Sequence, residues 1–364
     1  MQVLYSGLGG HGSVFFSLVE GDTEKKARHS ALFFGIEEVK PEYTGFCRKN
    51  NIASYAIKKE EGAYAKSWKE AYSVFKADKP DVIVLHSLNL LLVALAYVAN
   101  HKCKLIVVEH TSLKDKTRSE WLFSVIAMFT APEIVMLTNE YRKQFRKRLG
   151  NFFFRENKVS VIGNGINFTK YAPAGKKAGG ATQIIVSMIA RFSATKDQKT
   201  LVRAISKLQE LNYAPLPIKL MLAGSGDKLA EVQREVELLN LQQAVEFCGV
   251  LDEQSIIPFL QNTDIYVHSS LAETMSTSVL QALSVGLPVI GSDINGVRNL
   301  IVNGETGLLF PPADAMALAK CIIALLNDPV RRETLGANAR NYTISHYSHH
   351  EMYRKYERLF NSPA

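Results

Sequence analysis

The chain has 364 residues, of which 47% are hydrophobic and 21% charged, so it is long enough for about two globular domains. Its 43 Lys and Arg exceed its 35 Asp and Glu, and the formal net charge of +8 favours anionic partners such as phosphates, anionic lipid or nucleic acid. The four cysteines stand far apart without a CxxC motif, which excludes a disulfide framework or a clustered zinc site. The chain starts without a basic leader, and its most apolar helical run, LNLLLVALAYVAN, is shorter than the ~18 residues of a membrane span. We therefore expect a cytoplasmic protein that does not cross a membrane.

Short apolar runs alternate with amphipathic stretches in the first half, a pattern typical of βαβ units and parallel sheets. The predicted strands are QVLYSGL, SALFFGI, ASYAIK, DVIVLHS, KLIVVEH, EIVMLTN and KVSVIGN. The first runs into the turn GLGGHGS, where Gly9 and Gly10 would let backbone amides approach a phosphate, although tight packing of the turn explains these glycines equally well. The strand KLIVVEH ends on His110, which we expect to face a ligand or to make a structural hydrogen bond.

A basic segment follows later in the first half, in the stretch NEYRKQFRKRLGNFFFR. Cations crowd a predicted helix beside three aromatic residues; they are Arg142, Lys143, Arg146, Lys147 and Arg148, with Phe152, Phe153 and Phe154. This pattern fits a surface that rests on anionic membrane, or else a solvated helix face followed by core aromatics.

The turn GNG and the stretch APAGKKAGGATQ mark the best domain boundary. A second series of strands follows: IIVSMIA, IKLMLAG, AVEFCG, DIYVHSS, PVIGSD and TGLLF. We predict two doubly wound domains over residues 1–169 and 182–345, a linker over 170–181, and a C-terminal helix over 346–364 that returns to the first domain. Ligands bind beyond the carboxyl ends of such strands, so a cleft between the domains is the expected site.

Several strand ends of the second half carry candidate ligand groups. The loop after IIVSMIA holds Arg191 and Lys196 just before a helix, where two cations would neutralise a diphosphate; a plain basic loop is the alternative. Gly224 follows the next strand in another glycine turn. Val250 follows FCG, where only backbone groups would be available to contact the edge of a planar nucleotide base. In SSLAETMSTSVLQALSVGLPVIGSD, Glu273 precedes a helix predicted to start near Thr277.

The order of ARFSATKDQKTL, LAGSGD, FCGV, SSLAETMSTSVLQALSVGLPVIGSDINGVRNLI and NGETGLLFPP resembles the donor half of retaining glycosyltransferases of family 4 (glycosyl transferases group 1), of the bacterial surface-polysaccharide type. The resemblance covers nearly the whole second half, whereas the first half matches only through the glycine turn and the strand-end histidine. It implies the GT-B fold, an α/β architecture of two Rossmann-like, doubly wound parallel-sheet domains facing a central cleft. The first domain would bind the acceptor and the second the nucleotide-sugar donor.

The resemblance also implies roles for individual residues. Arg191 and Lys196 would bind the donor diphosphate, and Glu273, the first acid of the family's E-x7-E pattern, would contact the sugar near the reacting carbon, with His110 on the same side. Groups that follow the acid would meet the phosphates; they are Met275, Ser276, Thr277 and Ser278. Two positions depart from the pattern. Gln281 stands where a second acid usually binds the ribose, and Thr274 stands where Gly is usual.

The implied reaction moves a hexosyl or N-acetylhexosaminyl group, with retention, from a nucleotide diphosphate sugar, preferably a UDP-sugar, to an acceptor hydroxyl. The sequence contains no D-x-D motif, so we expect no metal and no other cofactor, and cationic side chains would act in place of a metal. The expected acceptor is a lipid-linked glycan or another saccharide in O-antigen, capsule or related biosynthesis. The expected location is the cytoplasmic face of the plasma membrane, with an anionic membrane surface and no nucleic acid as partner.

Two other function classes fit parts of the sequence. An epimerase of nucleotide sugars with the same two-domain shape would also need a diphosphate site. The sequence, however, lacks the neighbouring acidic residues that would deprotonate a sugar. A non-catalytic protein that binds polyanions or membranes would use the net charge of +8 and the basic helix, yet it would not need Glu273.

Overall fold

The structure is a computed structural model that describes residues 1–7, 9–60, 64–175, 182–211 and 217–362. The described chain divides into two compact units. The first unit contains residues 1–165 and a C-terminal helix that begins at His349, and the second unit runs from Ile166 to Ser348. Of the predicted linker, residues 170–175 belong to the second unit, whereas residues 176–181 lie outside the described residues.

The first unit is built on a parallel sheet whose described strands each lie inside a predicted apolar run. The strands are Gln2–Leu4 (β1), Ser30–Gly35 (β2), Ala53–Lys58 (β3), Val82–Leu85 (β4), Lys104–Glu109 (β5), Glu133–Met136 (β6) and Val159–Val161 (β7). The helices are Gly10–Gly21 (α1), Pro41–Lys49 (α2), Tyr64–Asp78 (α3), Leu91–Val98 (α4), Arg118–Thr130 (α5) and Asn139–Leu149 (α6). Two short 3-10 helices cover Leu88–Leu90 and Glu156–Lys158.

The second unit repeats this plan. Its strands are Ile184–Ile189 (β8), Ile218–Ala223 (β9), Val245–Gly249 (β10), Ile265–His268 (β11), Val289–Ser292 (β12) and Gly307–Phe310 (β13). Its helices are Gln198–Glu210 (α7), Leu229–Leu238 (α8), Glu253–Gln261 (α9), Thr277–Val285 (α10), Asn295–Arg298 (α11), Ala315–Leu326 (α12) and Pro329–His346 (α13). The last helix of the chain, His349–Asn361 (α14), belongs to the first unit.

Both sheets are doubly wound, as the alternation of strands and helices predicts. The strand order is β3-β2-β1-β4-β5-β6-β7 in the first sheet and β10-β9-β8-β11-β12-β13 in the second, and all pairings are parallel. The order reverses direction between β1 and β4 and again between β8 and β11. These are the topological switch points, where the loops at the carboxyl ends of the strands diverge and leave room for a ligand.

Apolar side chains cover both faces of the first sheet. Val3 and Leu32 belong to one buried cluster and Leu4 and Phe33 to another, because successive side chains of a strand point to opposite faces. With both faces covered, the strands read as continuous apolar runs in the sequence. Polar side chains are therefore concentrated where the strands end.

Helix α14 packs on helix α1. A Cβ at Gly21 would lie 2.5 Å from the carbonyl oxygen of His349, so only glycine permits this approach. The Lys104 ammonium donates to the carbonyl of Leu359 at 2.8 Å and neutralises the helix's partly negative C-terminus. These contacts attach the C-terminal helix to the first unit.

Candidate active site

The loop between β8 and α7 is held rigidly by backbone contacts. The amide of Phe192 donates to the carbonyl of Ser225 at 2.9 Å, and the Gln198 amide nitrogen donates to the carbonyl of Arg191 at 3.1 Å. Gly224 has φ +139°, and a Cβ there would lie 2.1 Å from the carbonyl oxygen of Ala190. Packing of two loops therefore accounts for Gly224 in this structure, and its predicted contact with the donor stays a prediction.

The two cations of this loop lie in different environments. Arg191 is exposed, whereas the side chain of Lys196 is 21% exposed and pairs with the carboxylate of Glu273. Lys196 directly precedes Asp197, whose carboxylate caps α7 by accepting from the amide of Thr200 at 3.3 Å. The fold thus brings together the predicted diphosphate lysine and the predicted sugar-binding acid.

A buried histidine also contacts this acid. His268, the last residue of β11, is 1% exposed, and its Nε2 lies 2.6 Å from Oε1 of Glu273. Because an ionised carboxylate can only accept, Nε2 of His268 carries the hydrogen and donates it. The same nitrogen lies 3.3 Å from Oγ of Ser276. We call Lys196, His268, Glu273 and Ser276 the acid cluster.

The acid cluster keeps Glu273 ionised. Burial alone raises the pKa of a carboxyl group, but here the Lys196 charge and the hydrogen bond from His268 outweigh it and lower the pKa of Glu273 to about 2. At neutral pH the side chain is therefore an acceptor of hydrogen bonds and not a proton donor. Its side chain is 11% exposed, which leaves one edge accessible.

Helix α10 starts inside the acid cluster. Ser276 is its N-cap, and the Ser276 hydroxyl accepts from the amide of Val279 at 3.3 Å. The amides of Thr277 and Ser278 have no acceptor within the helix, because the first turn lacks a preceding turn. Together with the helix dipole they favour an anion at this end. Met275 is 6% exposed, so its side chain contributes to packing.

Gly296 supports the acid from the opposite side. A Cβ at this position would lie 2.5 Å from both Cβ and the carbonyl oxygen of Glu273. The amide of Ser276 also donates to the carbonyl of Gly296 at 3.3 Å. Any larger side chain at position 296 would therefore displace Glu273. Val250 follows β10 and is 55% exposed, so it remains accessible to a ligand.

Gln281 is buried and bonds within the second unit. It is 3% exposed, and its Nε2 donates to the hydroxyl of Tyr171 at 2.9 Å. Ser284, one turn further along α10, donates to the carbonyl of Tyr171 at 3.0 Å, and Arg340 from α13 donates to the same carbonyl at 3.1 Å. The predicted ribose contact of Gln281 stays a prediction, since its amide here holds the segment that leads into the second unit.

In the first unit, the glycine turn leads directly into α1. Gly9 is the N-cap and Gly10 the first helical residue, and both are exposed. The hydroxyl of Tyr43 donates to the carbonyl of Gly7 at 3.1 Å and lies 3.3 Å from Nε2 of His11. Tyr43 therefore fixes the start of the turn, while Gly9 and Gly10 remain accessible to a ligand.

His110 follows β5 and belongs to a chain of polar side chains. Its Nε2 lies 2.8 Å from Nδ1 of His86, and Nε2 of His86 lies 2.8 Å from Oε1 of Gln2. Burial and the nearby charges of His11 and Lys116 lower the pKa of His110 to about 3. His110 is therefore neutral at physiological pH.

A buried ion pair adjoins His110. Nζ of Lys116 lies 2.5 Å from Oε2 of Glu109 and 2.6 Å from Oγ of Ser124, and the two charged side chains are almost completely buried. The hydroxyl of Tyr141 donates to the carbonyl of Thr111 at 3.0 Å. These contacts hold the loop that follows β5.

The basic segment combines paired cations with exposed aromatic rings. Arg142 and Arg146 both pair with Glu156, at 3.0 and 3.5 Å, which reduces their free charge. Lys143 pairs with Glu140 at 3.7 Å, and the Arg148 guanidinium lies 4.4 Å from the centre of the Trp121 ring.

Of the three predicted aromatics, Phe154 is buried, whereas Phe152 and Phe153 are 87% and 50% exposed. The Phe153 ring contacts the Phe129 ring, which is also exposed, at a centroid distance of 6.3 Å. We call Phe129, Phe152 and Phe153 the aromatic patch. No helix in the described part of the chain is long and apolar enough to cross a membrane.

Several site residues were not predicted from the sequence: Gln2, His86, Tyr171, His268 and Gly296. A signal existed for two of them, because the runs DVIVLHS and DIYVHSS carry His86 and His268 at strand ends, just as KLIVVEH carries His110. Within the described residues no group of three His, Cys, Asp or Glu is arranged to hold a metal ion.

Two family models match consecutive parts of the chain. The model described as glycosyl transferases group 1 matches residues 175–342, and the model described as glycosyltransferase family 4 matches residues 9–170. Together they include Gly9 and Gly10, His110 and the complete acid cluster.

Curated relatives are similar to this chain at low identity. The capsular polysaccharide biosynthesis glycosyltransferase CapM of Staphylococcus aureus is 25% identical over 66% of this chain and 64% of its own length, slightly less than two thirds of that protein. The UDP-Gal:alpha-D-GlcNAc-diphosphoundecaprenol alpha-1,3-galactosyltransferase of Escherichia coli is 25% identical over 78% of this chain and 76% of its own.

The fold is similar to that of the Anabaena protein HepE, solved in complex with UDP-glucose. The TM-score is 0.84, the identity is 18%, and each chain is covered completely. At this identity the likeness concerns the fold, which is of the GT-B type.

The depressed pKa of Glu273 predicts a specific dependence of stability on pH. The stabilisation is complete above the ordinary value of 4.5 and is lost as the pH falls towards 2, because protonation removes the interactions with Lys196 and His268. We expect the difference in unfolding free energy between wild type and Glu273→Gln to shrink by about 3 kcal/mol between pH 6 and pH 2. Denaturant titrations at several pH values measure it. The exposed Gln209→Leu variant, which removes no titratable group, should differ from wild type by the same amount at every pH. A constant difference for Glu273→Gln would contradict the prediction.

The contact between Gln281 and Tyr171 predicts energetic coupling. Tyr171→Phe leaves the buried Gln281 amide without its acceptor and should cost about 1–3 kcal/mol, whereas adding Gln281→Leu should cost little more. A double-mutant cycle by chemical denaturation measures the coupling, expected at about 1 kcal/mol. As a control, Tyr171→Phe combined with Gln209→Leu, an exposed position in α7, should be additive. Additivity of the Gln281 pair as well would refute the coupling.

Proposed function

This chain belongs to the group 1, family 4 glycosyltransferases and transfers a sugar, and from that premise we propose its donor, mechanism and acceptor. The donor is a nucleoside diphosphate sugar, preferably a UDP-sugar, and a hexosyl or N-acetylhexosaminyl group moves to an acceptor hydroxyl with retention at the anomeric carbon. The observation that carries the proposal is the acid cluster at the start of α10, where a cation, an ionised carboxylate and free helix amides lie together.

Lys196, Arg191 and the first amides of α10 bind the donor diphosphate. Positive charge and helix amides at one place are what a diphosphate requires, and their effect increases as negative charge develops on the leaving nucleotide. Cationic side chains thus act where other enzymes use a metal, so we propose transfer without a metal. The solved UDP-glucose complex of the structurally similar HepE supports the choice of a UDP-sugar.

Glu273 binds hydroxyl groups of the donor sugar. It accepts hydrogen bonds because it stays ionised, and the hydrogen bond from His268 together with the contact with Gly296 fixes its orientation. Donor binding must share the Lys196 ammonium between Glu273 and the phosphates, which an ammonium with three donors permits.

In the reaction, the bond between the anomeric carbon and the diphosphate oxygen breaks, and a bond to the acceptor oxygen forms on the same face. The acceptor proton passes to an oxygen of the leaving phosphate, so no side-chain base is required. The pKa of Glu273 near 2 agrees with this division of roles, since such a carboxylate is a weak base.

We propose a lipid-linked glycan as acceptor and synthesis of a surface polysaccharide as the process. The E. coli relative is named for an acceptor on diphosphoundecaprenol and the S. aureus relative for capsule synthesis, and both names support this choice. The aromatic patch also supports it: Arg155 lies over the Phe129 ring at 5.6 Å, so apolar and cationic groups share one surface. The chain would then act as a peripheral protein at the cytoplasmic face of the membrane.

The donor assignment predicts that Lys196→Met weakens UDP binding roughly tenfold or more and lowers turnover by about 10²-fold, because it removes a charge-assisted contact that strengthens in the transition state. Mass spectrometry of slow donor hydrolysis, with UDP-glucose, UDP-galactose and UDP-N-acetylglucosamine, first identifies a donor. Calorimetry with UDP then measures affinity.

Lys199→Met is the matched control, since Lys199 lies in the first turn of α7 and pairs with Glu231 at 3.1 Å. It should retain wild-type turnover. Release of no nucleotide from any nucleotide sugar, or an unaltered Lys196→Met, would refute the donor assignment. Appearance of an epimerised UDP-sugar without release of UDP would favour the epimerase alternative.

The membrane assignment predicts that Phe152→Ser with Phe153→Ser weakens binding to anionic vesicles at least tenfold, because each ring would otherwise contribute about 1.5–3 kcal/mol on burial. Vesicle co-sedimentation with phosphatidylglycerol measures it, and donor hydrolysis should not change. Leu238→Ser, at an exposed apolar position in α8 of the second unit, should bind like wild type. Unchanged sedimentation of the double variant would contradict the assignment.

A further inference from the structure

A chain of three hydrogen-bonded side chains connects β1 to the carboxyl ends of β4 and β5, at the switch point of the first sheet. Gln2 lies in β1, His86 follows β4, and His110 follows β5, so three neighbouring strands each contribute one residue. Gln2 and His86 are 3% and 7% exposed. The two imidazole rings lie nearly parallel, with centroids 5.1 Å apart and an angle of 30° between the planes.

The hydrogen bonds in this chain have a defined direction. Oε1 of Gln2 is an acceptor only, so Nε2 of His86, at 2.8 Å, carries a hydrogen and donates it. In a neutral imidazole the other nitrogen is then bare, and Nδ1 of His86 accepts. Nε2 of His110, at 2.8 Å, must therefore donate, which leaves Nδ1 of His110 bare.

We propose that Gln2 and His86 are positioning residues that fix the tautomer of His110, with hydrogen on Nε2 and the lone pair on Nδ1. His110 then presents an acceptor to a hydroxyl group of a bound sugar. This inference rests on the proposed function, because it assigns a chemical task to His110 in sugar binding. The bare Nδ1 of His110 favours ligands that place a hydrogen-bond donor next to it and disfavours ligands that place an acceptor there.

The surroundings keep both rings neutral, as these hydrogen-bond directions require. Burial, followed by the neighbouring His110 and His11, lowers the pKa of His86 well below its usual range, and the pKa of His110 is about 3. Lys116 adds positive charge beside His110 but is itself bound to Glu109. A His110 that resists protonation is unsuited to removing a proton at neutral pH, whereas it can accept a hydrogen bond.

A purely structural role for Gln2 and His86 leads to a different prediction. If Gln2 and His86 only fill space, an apolar residue of similar size at position 2 would leave His110 able to bind sugar as before. If they orient His110, loss of the Gln2 acceptor lets His86 invert, and His110 then populates both tautomers. The molecules with hydrogen on Nδ1 of His110 would then present a hydrogen at the place where the sugar hydroxyl also donates one.

The direct test is the tautomer of His110 in the complete wild-type chain. Long-range ¹H–¹⁵N correlation spectra of protein labelled with ¹⁵N-histidine distinguish a protonated ring nitrogen from a bare one, and His110→Gln identifies the signals. We expect Nε2 of His110 to be protonated and Nδ1 bare. A protonated Nδ1, or an imidazolium at neutral pH, would overturn the proposal without any variant having to fold.

The second test uses Gln2→Leu and the donor found by the hydrolysis screen. We expect mixed tautomers of His110 and a roughly three- to tenfold fall in kcat/KM, the worth of one hydrogen bond. We also use donors in which one sugar hydroxyl is replaced by fluorine, which accepts a hydrogen bond but does not donate one. With the wild-type enzyme, one of these donors should lower kcat/KM as much as Gln2→Leu does with the unmodified donor. With Gln2→Leu, the same fluorinated donor should lower kcat/KM little further. The control is His101→Leu. The His101 ring stacks on Tyr97 and is not one of the three hydrogen-bonded side chains, so this variant should leave the spectra and kcat/KM unchanged.

The outcomes separate this inference from the proposed function. If wild type hydrolyses no nucleotide sugar, the proposed function fails, while the spectra still report the tautomer. If hydrolysis occurs but Gln2→Leu retains both the wild-type tautomer and the wild-type kcat/KM, the positioning role is refuted and the donor assignment stands.

Discussion

The second unit depends on one electrostatic constraint, the stabilisation of a nearly buried carboxylate. An ionised Glu273 without partners would be very unfavourable at this exposure, so the fold supplies a cation and a hydrogen-bond donor from two other segments. Lys196 comes from the loop after β8 and His268 from the end of β11. The same loops are also joined directly, since the carbonyl of Thr195 accepts from the amide of Leu271 at 2.7 Å. The need to satisfy one acid thus sets the conformation of two loops at the switch point.

The first unit satisfies its buried polar groups by the same rule but with different chemistry. The sheet is apolar on both faces, so its polar side chains lie at the strand ends and must bond to one another. Glu109 does so by an ion pair with Lys116, and His110 by the neutral chain through His86 and Gln2. A fixed charge and a fixed tautomer therefore lie side by side after β5, and each limits the states available to the other.

The sequence predicted the fold well because the fold follows from local periodicity. All the described strands lie in predicted apolar runs, and α10 begins at Thr277 as its N-terminal residues indicated. The partners of the site residues could not be predicted in the same way. Gly296 contacts Glu273 and Tyr171 contacts Gln281 across separations that no local pattern encodes. The linker prediction over residues 170–181 rests on loop-like composition alone, and composition carries no information on the side chains more than a hundred residues away that hold Tyr171.

The attachment of Tyr171 has a mechanical consequence. Helix α10 begins at the acid cluster and bonds through Gln281 and Ser284 to the segment by which the chain enters the second unit, and Arg340 clamps the same segment from α13. A helix is stiff along its axis, so a displacement at its first turn reaches these bonds with little loss. Any movement of α10 must either carry the segment with it or break the two hydrogen bonds from Gln281 and Ser284. A movement of the first turn of α10 is therefore transmitted along the helix to the segment around Tyr171, where the chain enters the second unit.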